Sequence, residues 1–219
     1  SPAFSPDGRW VAYYRAIEGR REVWVIPSTG GLPVNFSGHA GQDVQPAWSP
    51  DSRQIAFVSD RGGAYQIWAA PFADGRRAGE PRRLTSNQGA ASYPTWSPDG
   101  KTIAYRVLAG DEMDDVWVVP ADASGPSRRL TSGAQAGCLR WFGASGEILV
   151  SGLWGGRFLA LRLLDPATGA LRPFALPASV VLDPDLVDFD LSPDGSLMAL
   201  FEGRGEGVIW VREAEQGSF

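Results

Sequence analysis

Three observations predict an all-β chain, a β-propeller of four-stranded antiparallel blades: a recurring turn unit, short strand-like apolar runs, and no stretch that sustains a helical period over three turns. The unit Phe4-Ser-Pro-Asp-Gly8 returns as Trp48-Ser-Pro-Asp51, Trp96-Ser-Pro-Asp-Gly100 and Leu191-Ser-Pro-Asp-Gly195, with Trp141-Phe-Gly-Ala-Ser-Gly146 as a degraded copy. Successive copies start 44 to 50 residues apart, the period at which each copy makes one blade.

The first strand of each blade ends at the anchor before the turn: Phe4, Trp48, Trp96, Trp141 and Leu191. In the Ser-Pro-Asp-Gly tetrad, proline pre-sets the backbone, serine or aspartate bonds its own main chain, and glycine accepts a positive φ, so the chain reverses. Second strands follow at Trp10 to Tyr14, Ile55 to Val58, Ile103 to Tyr105, Ile148 to Val150 and Leu197 to Phe201. Third strands centre on Trp24, Trp68, Trp117, Leu161 and Trp210, 19 to 21 positions after the anchor in every copy. Weaker fourth strands are Val34-Asn-Phe36, Pro81-Arg-Arg-Leu84-Thr85, Ser127-Arg-Arg-Leu130-Thr131 and Leu171-Arg-Pro-Phe174.

The spacing predicts one domain over 1–219 with blades at 1–37, 45–86, 93–132, 138–176 and 187–219, the last lacking its fourth strand. Since an open sheet edge invites pairing, five visible blades are expected to belong to a larger ring, or to be completed by another molecule. Ser1 opens inside a strand signal with no charged-then-apolar leader, so any signal peptide or anchor is expected to lie outside the chain.

The order W-S-P-D-G, I-A-F/Y, I-W/V-W, R-R-L-T resembles the WD40-like β-propeller repeats of the periplasmic TolB type, closely in the first three copies and more loosely in the last two. Pro46-Ala-Trp48-Ser-Pro-Asp51-Ser-Arg-Gln-Ile55-Ala-Phe57-Val-Ser-Asp60-Arg-Gly carries the likeness best. The resemblance implies six or more blades in the intact ring and a periplasmic or extracytoplasmic setting. Such repeats serve as binding scaffolds, as sensor domains behind membrane-anchored kinases or regulators, and as substrate-gating domains of prolyl-oligopeptidase-like peptidases, so the repeat specifies fold more sharply than role.

A formal charge of −5 and a pI near 4.9 exclude the basic face of a nucleic-acid binder. The pairs Arg82-Arg83 and Arg128-Arg129 recur at one repeat position and read as solvated outer-strand charge that protects an edge. No apolar run approaches the ~20 residues of a membrane-crossing helix. The only cysteine, Cys138, excludes an internal disulfide and reads as a small inner-strand residue. One histidine, His39, cannot build a multi-histidine metal site, and a Ser-His-Asp triad would have to use it. No G-x-S-x-G elbow is present, and Gly100-Lys101-Thr102 lacks the earlier glycine of a phosphate loop, having Thr95 there. No catalytic residues and no obligatory cofactor are therefore assigned.

Binding candidates are residues that the scaffold does not require: Tyr65 beside Asp60-Arg61, Tyr93, Trp154 and Arg157 in Leu153-Trp-Gly-Gly-Arg157, and Arg204. Loop-borne aromatic and arginine side chains suit recognition of a protein or peptide, or of a small ligand. The position before each anchor reads Ala3, Ala47, Thr95, Arg140 and Asp190. Charges on an inner strand need partners, and Arg140 and Asp190 are expected to bond each other, backbone carbonyls or channel water. Two acidic clusters, Asp111-Glu-Met-Asp-Asp115 and Asp183-Pro-Asp185-Leu-Val-Asp188-Phe-Asp190, are expected to open on one rim. Asp183, Asp185 and Asp188 offer hard oxygens suited to Ca²⁺, but the calcium-loop pattern is absent, so solvated loop charge is the simpler expectation.

Overall fold

The computed structural model describes residues 2–108, 114–156, 159–175, 188–192, 196–202 and 208–213. Its first sheet holds β1 (Ala3–Phe4), β2 (Trp10–Ile17), β3 (Arg20–Pro27) and β4 (Val34–Asn35). The second holds β5 (Asp43–Trp48), β6 (Gln54–Ser59), β7 (Gln66–Ala73), β8 (Arg76–Arg77) and β9 (Arg82–Arg83). The third holds β10 (Ala90–Trp96), β11 (Thr102–Leu108), β12 (Asp115–Pro120) and β13 (Arg128–Arg129). The fourth holds β14 (Ala136–Phe142), β15 (Glu147–Gly152), β16 (Ala160–Leu164) and β17 (Leu171–Pro173). Among the described residues the fifth has three strands, β18 (Asp188–Leu191), β19 (Leu197–Glu202) and β20 (Val208–Glu213). Within each sheet, neighbours in sequence are neighbours in space, except that β9 pairs β7 beside the β7–β8 hairpin. These are the antiparallel blades of a propeller.

The repeated tetrad folds the same way three times. Ser5 Oγ donates to Asp7 Oδ1 at 2.6 Å and accepts from Trp10 N at 2.9 Å, while Asp7 Oδ1 also accepts from Arg9 N at 3.1 Å. Ser49 with Asp51, and Ser97 with Asp99, repeat that network around Gln54 N and Thr102 N. The side chains thus satisfy the amides that a tight reversal would leave open. In the fourth blade, where Ser-Pro-Asp is lost, a 3₁₀ turn over Gly143–Ser145 does the reversal and Gly146 takes φ 73°.

The chain divides into two compact units, 1–112 with 117–129, and 113–116 with 130–219. In the first, apolar side chains of β2 and β3 pack on those of β5 to β7 around Val23, Phe36, Phe57 and Phe72. A second cluster joins β6 and β7 to β10, β11 and β12 around Ile67, Trp96, Ile103 and Tyr105. Trp48 Nε1 donates to Ala3 O at 3.0 Å and Trp96 Nε1 to Ala47 O at 3.1 Å, so each anchor indole bonds the inner strand of the preceding blade. The anchor therefore holds two blades together rather than one blade internally. Phe4 is 69% exposed, against the expectation of a core anchor. In the second unit, Leu149, Leu161, Leu163, Phe189 and Met198 form the core with Cys138, which is buried as expected.

The β7–β8 hairpin was not anticipated by the repeat. Asp74 and Gly75 take φ 49° and 78°, the left-handed pair of a two-residue hairpin turn. Gly75 lies so close to Trp10 that a Cβ there would come within 2.6 Å of its ring, and Arg77 donates to Ser37 O at 3.0 Å. The hairpin thus fastens the second blade onto the first.

Candidate functional site

At the rim opposite the Ser-Pro-Asp turns, the inner strands are irregular. β5 and β10 shift register between Val44 and Ala47 and between Ser92 and Thr95. Gln45 and Tyr93, at equivalent repeat positions, both have φ 52°. A bulge of this kind re-aims side chains. Gln45 Oε1 accepts from the Tyr93 amide at 2.8 Å, which joins the two bulges. The Arg106 guanidinium lies 4.2 Å from the centre of the Tyr93 ring, a cation–π arrangement. Tyr65, on the β6–β7 connection, accepts from Ala91 N through its carbonyl at 2.9 Å, and Leu108 pairs with Ala90. Tyr65, Tyr93 and Leu108 are all exposed, Tyr93 by 45%. The structure thus brings Tyr65 and Tyr93 to one rim, and adds Gln45, Arg106 and Leu108, which sequence reasoning missed.

A buried ion pair supports this rim. Arg61 Nη2 lies 3.1 Å from both Asp43 oxygens, with side-chain exposures of 9% and 0%. Arg61 Nε also donates to Ser59 Oγ, and its guanidinium stacks 5.0 Å from Phe57 and 5.3 Å from Trp68. Charges so enclosed persist only with such partners. Nearby, His39 Nδ1 accepts from Gly41 N at 2.9 Å, and Asp60 Oδ1 accepts from Gln42 N at 2.7 Å. The one histidine thus shapes its own loop through a ring nitrogen.

The last residue of the R-R-L-T motif is a buried hub. Thr85 Oγ1 accepts from Ile67 N and donates to Gln66 Oε1; Thr131 Oγ1 accepts from Val116 N and donates to Asp115 Oδ1. Asp115 accepts further from Gly133 N and Ala134 N and is buried. This corrects the expectation of solvated charge for Asp115: it ties the start of β12 to the chain leaving Thr131. The arginine pairs are exposed as expected, yet not merely solvated, since Arg82 donates to Ala121 O at 2.7 Å and Arg83 to Thr85 O at 2.7 Å.

In the second unit Arg140 Nε lies 3.0 Å from Asp190 Oδ1, linking β14 to β18. The pair is open to water, Asp190 by 72%. Trp154 has φ 51°; its indole donates to Ala160 O at 2.9 Å and lies under Arg162 at 5.0 Å. Its polar edge is spent on its own hairpin. Asp188 begins β18. Arg157, Arg204, Asp183 and Asp185 lie outside the described residues, as do residues 111–113 of the first acidic cluster. No group of three or more His, Cys, Asp or Glu suited to a metal occurs among the described residues.

Solved structures share this architecture. TolB from Acinetobacter baumannii superposes with a TM-score of 0.72 at 20% identity, over 98% of this chain and 51% of that one. A putative TolB from Agrobacterium tumefaciens gives 0.66 at 23% identity, over 78% and 63%. A puromycin-hydrolyzing peptidase of Mycobacterium tuberculosis gives 0.67 at 18% identity, over 99% and 36%. The chain thus spans between about half and two-thirds of the TolB chains, and these identities show shared fold. No curated protein matches its sequence. Residues 1–136 match the model of the TolB beta propeller domain, well over half of the 219 residues, and the chain belongs to that family.

Proposed function

We propose that this propeller is a non-catalytic scaffold that binds a protein or peptide, in an extracytoplasmic setting, through the rim carrying Tyr65, Tyr93, Arg106 and Leu108. The observation that carries the reading is the bulged pair Gln45–Tyr93: its left-handed backbone holds an aromatic ring open to solvent beneath a guanidinium. Tyrosine and arginine are residues of which interface hot spots are built, and two-χ aromatic side chains lose little entropy on contact. The buried Asp43–Arg61 pair and the His39 loop fix the backbone around it, so binding would cost little reordering.

Peptides selected from a displayed library on the wild-type chain test this reading. Their Kd, measured by calorimetry, should weaken by about tenfold or more in Tyr93→Ala and in Tyr65→Ala, as removal of a hot-spot aromatic requires. Selected peptides that bind these variants as tightly as wild type would overturn it. The fold also occurs within the peptidase chain named above. A substrate-gating propeller is the competing reading; it requires a catalytic domain to give turnover, whereas rim recognition requires none.

A further inference from the structure

We propose a second, separate binding site on the turn-bearing rim of the first unit: a cleft that takes an oxyanion, the carboxylate or phosphate of a small ligand. The cleft has a volume of about 530 Å³ and lies between the second and third blades, within the range of small-molecule pockets. Gln54, Arg82, Lys101, Ala121, Asp122 and Ser124 line it. It is at the opposite end of the strands from Tyr65 and Tyr93, and does not depend on the rim reading.

The chemistry of the lining is asymmetric. Arg82 spends one guanidinium nitrogen on Ala121 O at 2.7 Å, which anchors the group across the two blades. Its remaining donors, the Lys101 ammonium and the Gln54 carboxamide meet no protein acceptor among the described residues. The main chain beneath Lys101 is fixed, because its amide donates to Asp99 Oδ1 at 3.0 Å and the next amide to Ser97 Oγ at 2.9 Å. Asp122 is the one carboxylate in the lining, and its Oδ1 is engaged by Ser124 N at 2.9 Å. Two cations and one carboxylate therefore line the cleft, with Asp122 acting on Arg82 and Asp99, outside the lining, on Lys101, in a chain whose net charge is −5.

An arginine fork pinned at one nitrogen, with an exposed ammonium lining the same cleft, is suited to a planar carboxylate or a phosphate. Asp122 on the adjoining wall would accept from a hydroxyl or ammonium group of the same ligand. The geometry is unlike a phosphate loop: the contacts are side-chain donors over a β-turn, not amides at a helix start.

The test is an amide NMR titration of the whole chain with citrate and, separately, inorganic phosphate. The expected result is saturable shifts at Gln54, Lys101 and Ser124 for at least one of them, with the tighter probe naming the class. Affinity should fall about tenfold in Lys101→Ala, the size of one lost charge-assisted bond, and stay unchanged in Tyr93→Ala. The Lys101 ammonium makes no side-chain hydrogen bond and acts on Asp99 only through space, an exposed interaction worth little, so its variant should melt close to the wild-type temperature; Arg82→Gln is the second variant, expected to weaken binding likewise. Shifts that stay linear with both probes, or an affinity equal in wild type and Lys101→Ala, would overturn the proposal.

Discussion

Trp96 donates its indole N–H to the carbonyl of Ala47 at 3.1 Å, repeating the bond from Trp48 to Ala3 at 3.0 Å. In the first three blades the residue before one anchor is therefore an acceptor for the indole of the next, and the repeat writes its own interface there. Trp96→Ala should destabilise the protein by about 3–5 kcal/mol through lost burial and a cavity. Trp96→Phe, which keeps the ring but loses the bond, should cost less, about 1–2 kcal/mol. Urea unfolding measures both. A loss below about 0.5 kcal/mol for Trp96→Ala, the size of a surface change, would refute the interlock.

Asp43 and Arg61 should behave as a unit. Asp43→Ala strands a guanidinium in a site that water barely reaches, at a cost of about 3–5 kcal/mol. Adding Arg61→Met should recover part of that loss, because the uncompensated charge is gone. Strict additivity in the double-mutant cycle would contradict the pairing.

The turn aspartates make stability fall in acid. Asp7 and Asp99 are held below the ordinary carboxylate range by the hydroxyls of Ser5 and Ser97 and by a backbone amide each. Asp51 is partly desolvated, which raises it, but the Ser49 hydroxyl and Arg53 amide outweigh that and it too is lowered. A carboxyl with a depressed folded value contributes stability that is complete above its unfolded value, about 3.9, and is lost as pH falls through the folded one. Asp99→Asn should therefore be less stable than wild type at pH 7, with the gap closing as pH falls below the unfolded value of about 3.9 and wild type loses the same contribution. A gap that is constant from pH 7 to pH 2.5 would contradict this.

Tyr105 should act at the other end of the scale. Burial pushes its phenol up to about 12, with the side-chain interactions of Ser127 and Asn87 opposing, and the hydroxyl donates to Asn87 Oδ1 at 2.9 Å. The unfolded chain sheds that proton near pH 10 while the folded one keeps it, so stability is full below about 10 and lost as pH rises toward 12. Tyr105→Phe should lose about 1 kcal/mol at pH 7 with the Asn87 bond, yet lose less further stability than wild type between pH 9 and 11. An identical alkaline decline in both would count against it.

The blades were legible in the sequence because their signals are local. A Ser-Pro-Asp turn and an alternating apolar run each specify their own geometry, and β2, β6 and β11 follow the expected runs with longer ends. The Arg140–Asp190 bond could be foreseen because two charges at one repeat position on successive blades had few other ways to be satisfied. The β7–β8 hairpin carried its cue in Asp74-Gly75, but the fixed repeat frame left no place for an extra strand. The Asp43–Arg61 pair was hidden because its members lie 18 residues apart, one at the start of β5 and one in the turn after β6, and only the fold brings them together. Tyr93 was named as a candidate, but the bulges that re-aim Gln45 and Tyr93 were hidden: a bulge arises from register between strands, and single-residue propensity does not report it. Trp154 broke the repeat as a binding residue would, yet its ring closes the β15–β16 hairpin.

The most direct measurement of the central claim is the amide NMR footprint of a library-selected peptide on the isotopically labelled chain. The account predicts saturable changes that concentrate on Gln45, Tyr65, Tyr93 and Leu108 and disappear in Tyr93→Ala. A footprint on the Ser-Pro-Asp turns, or one that survives Tyr93→Ala unchanged, would contradict it.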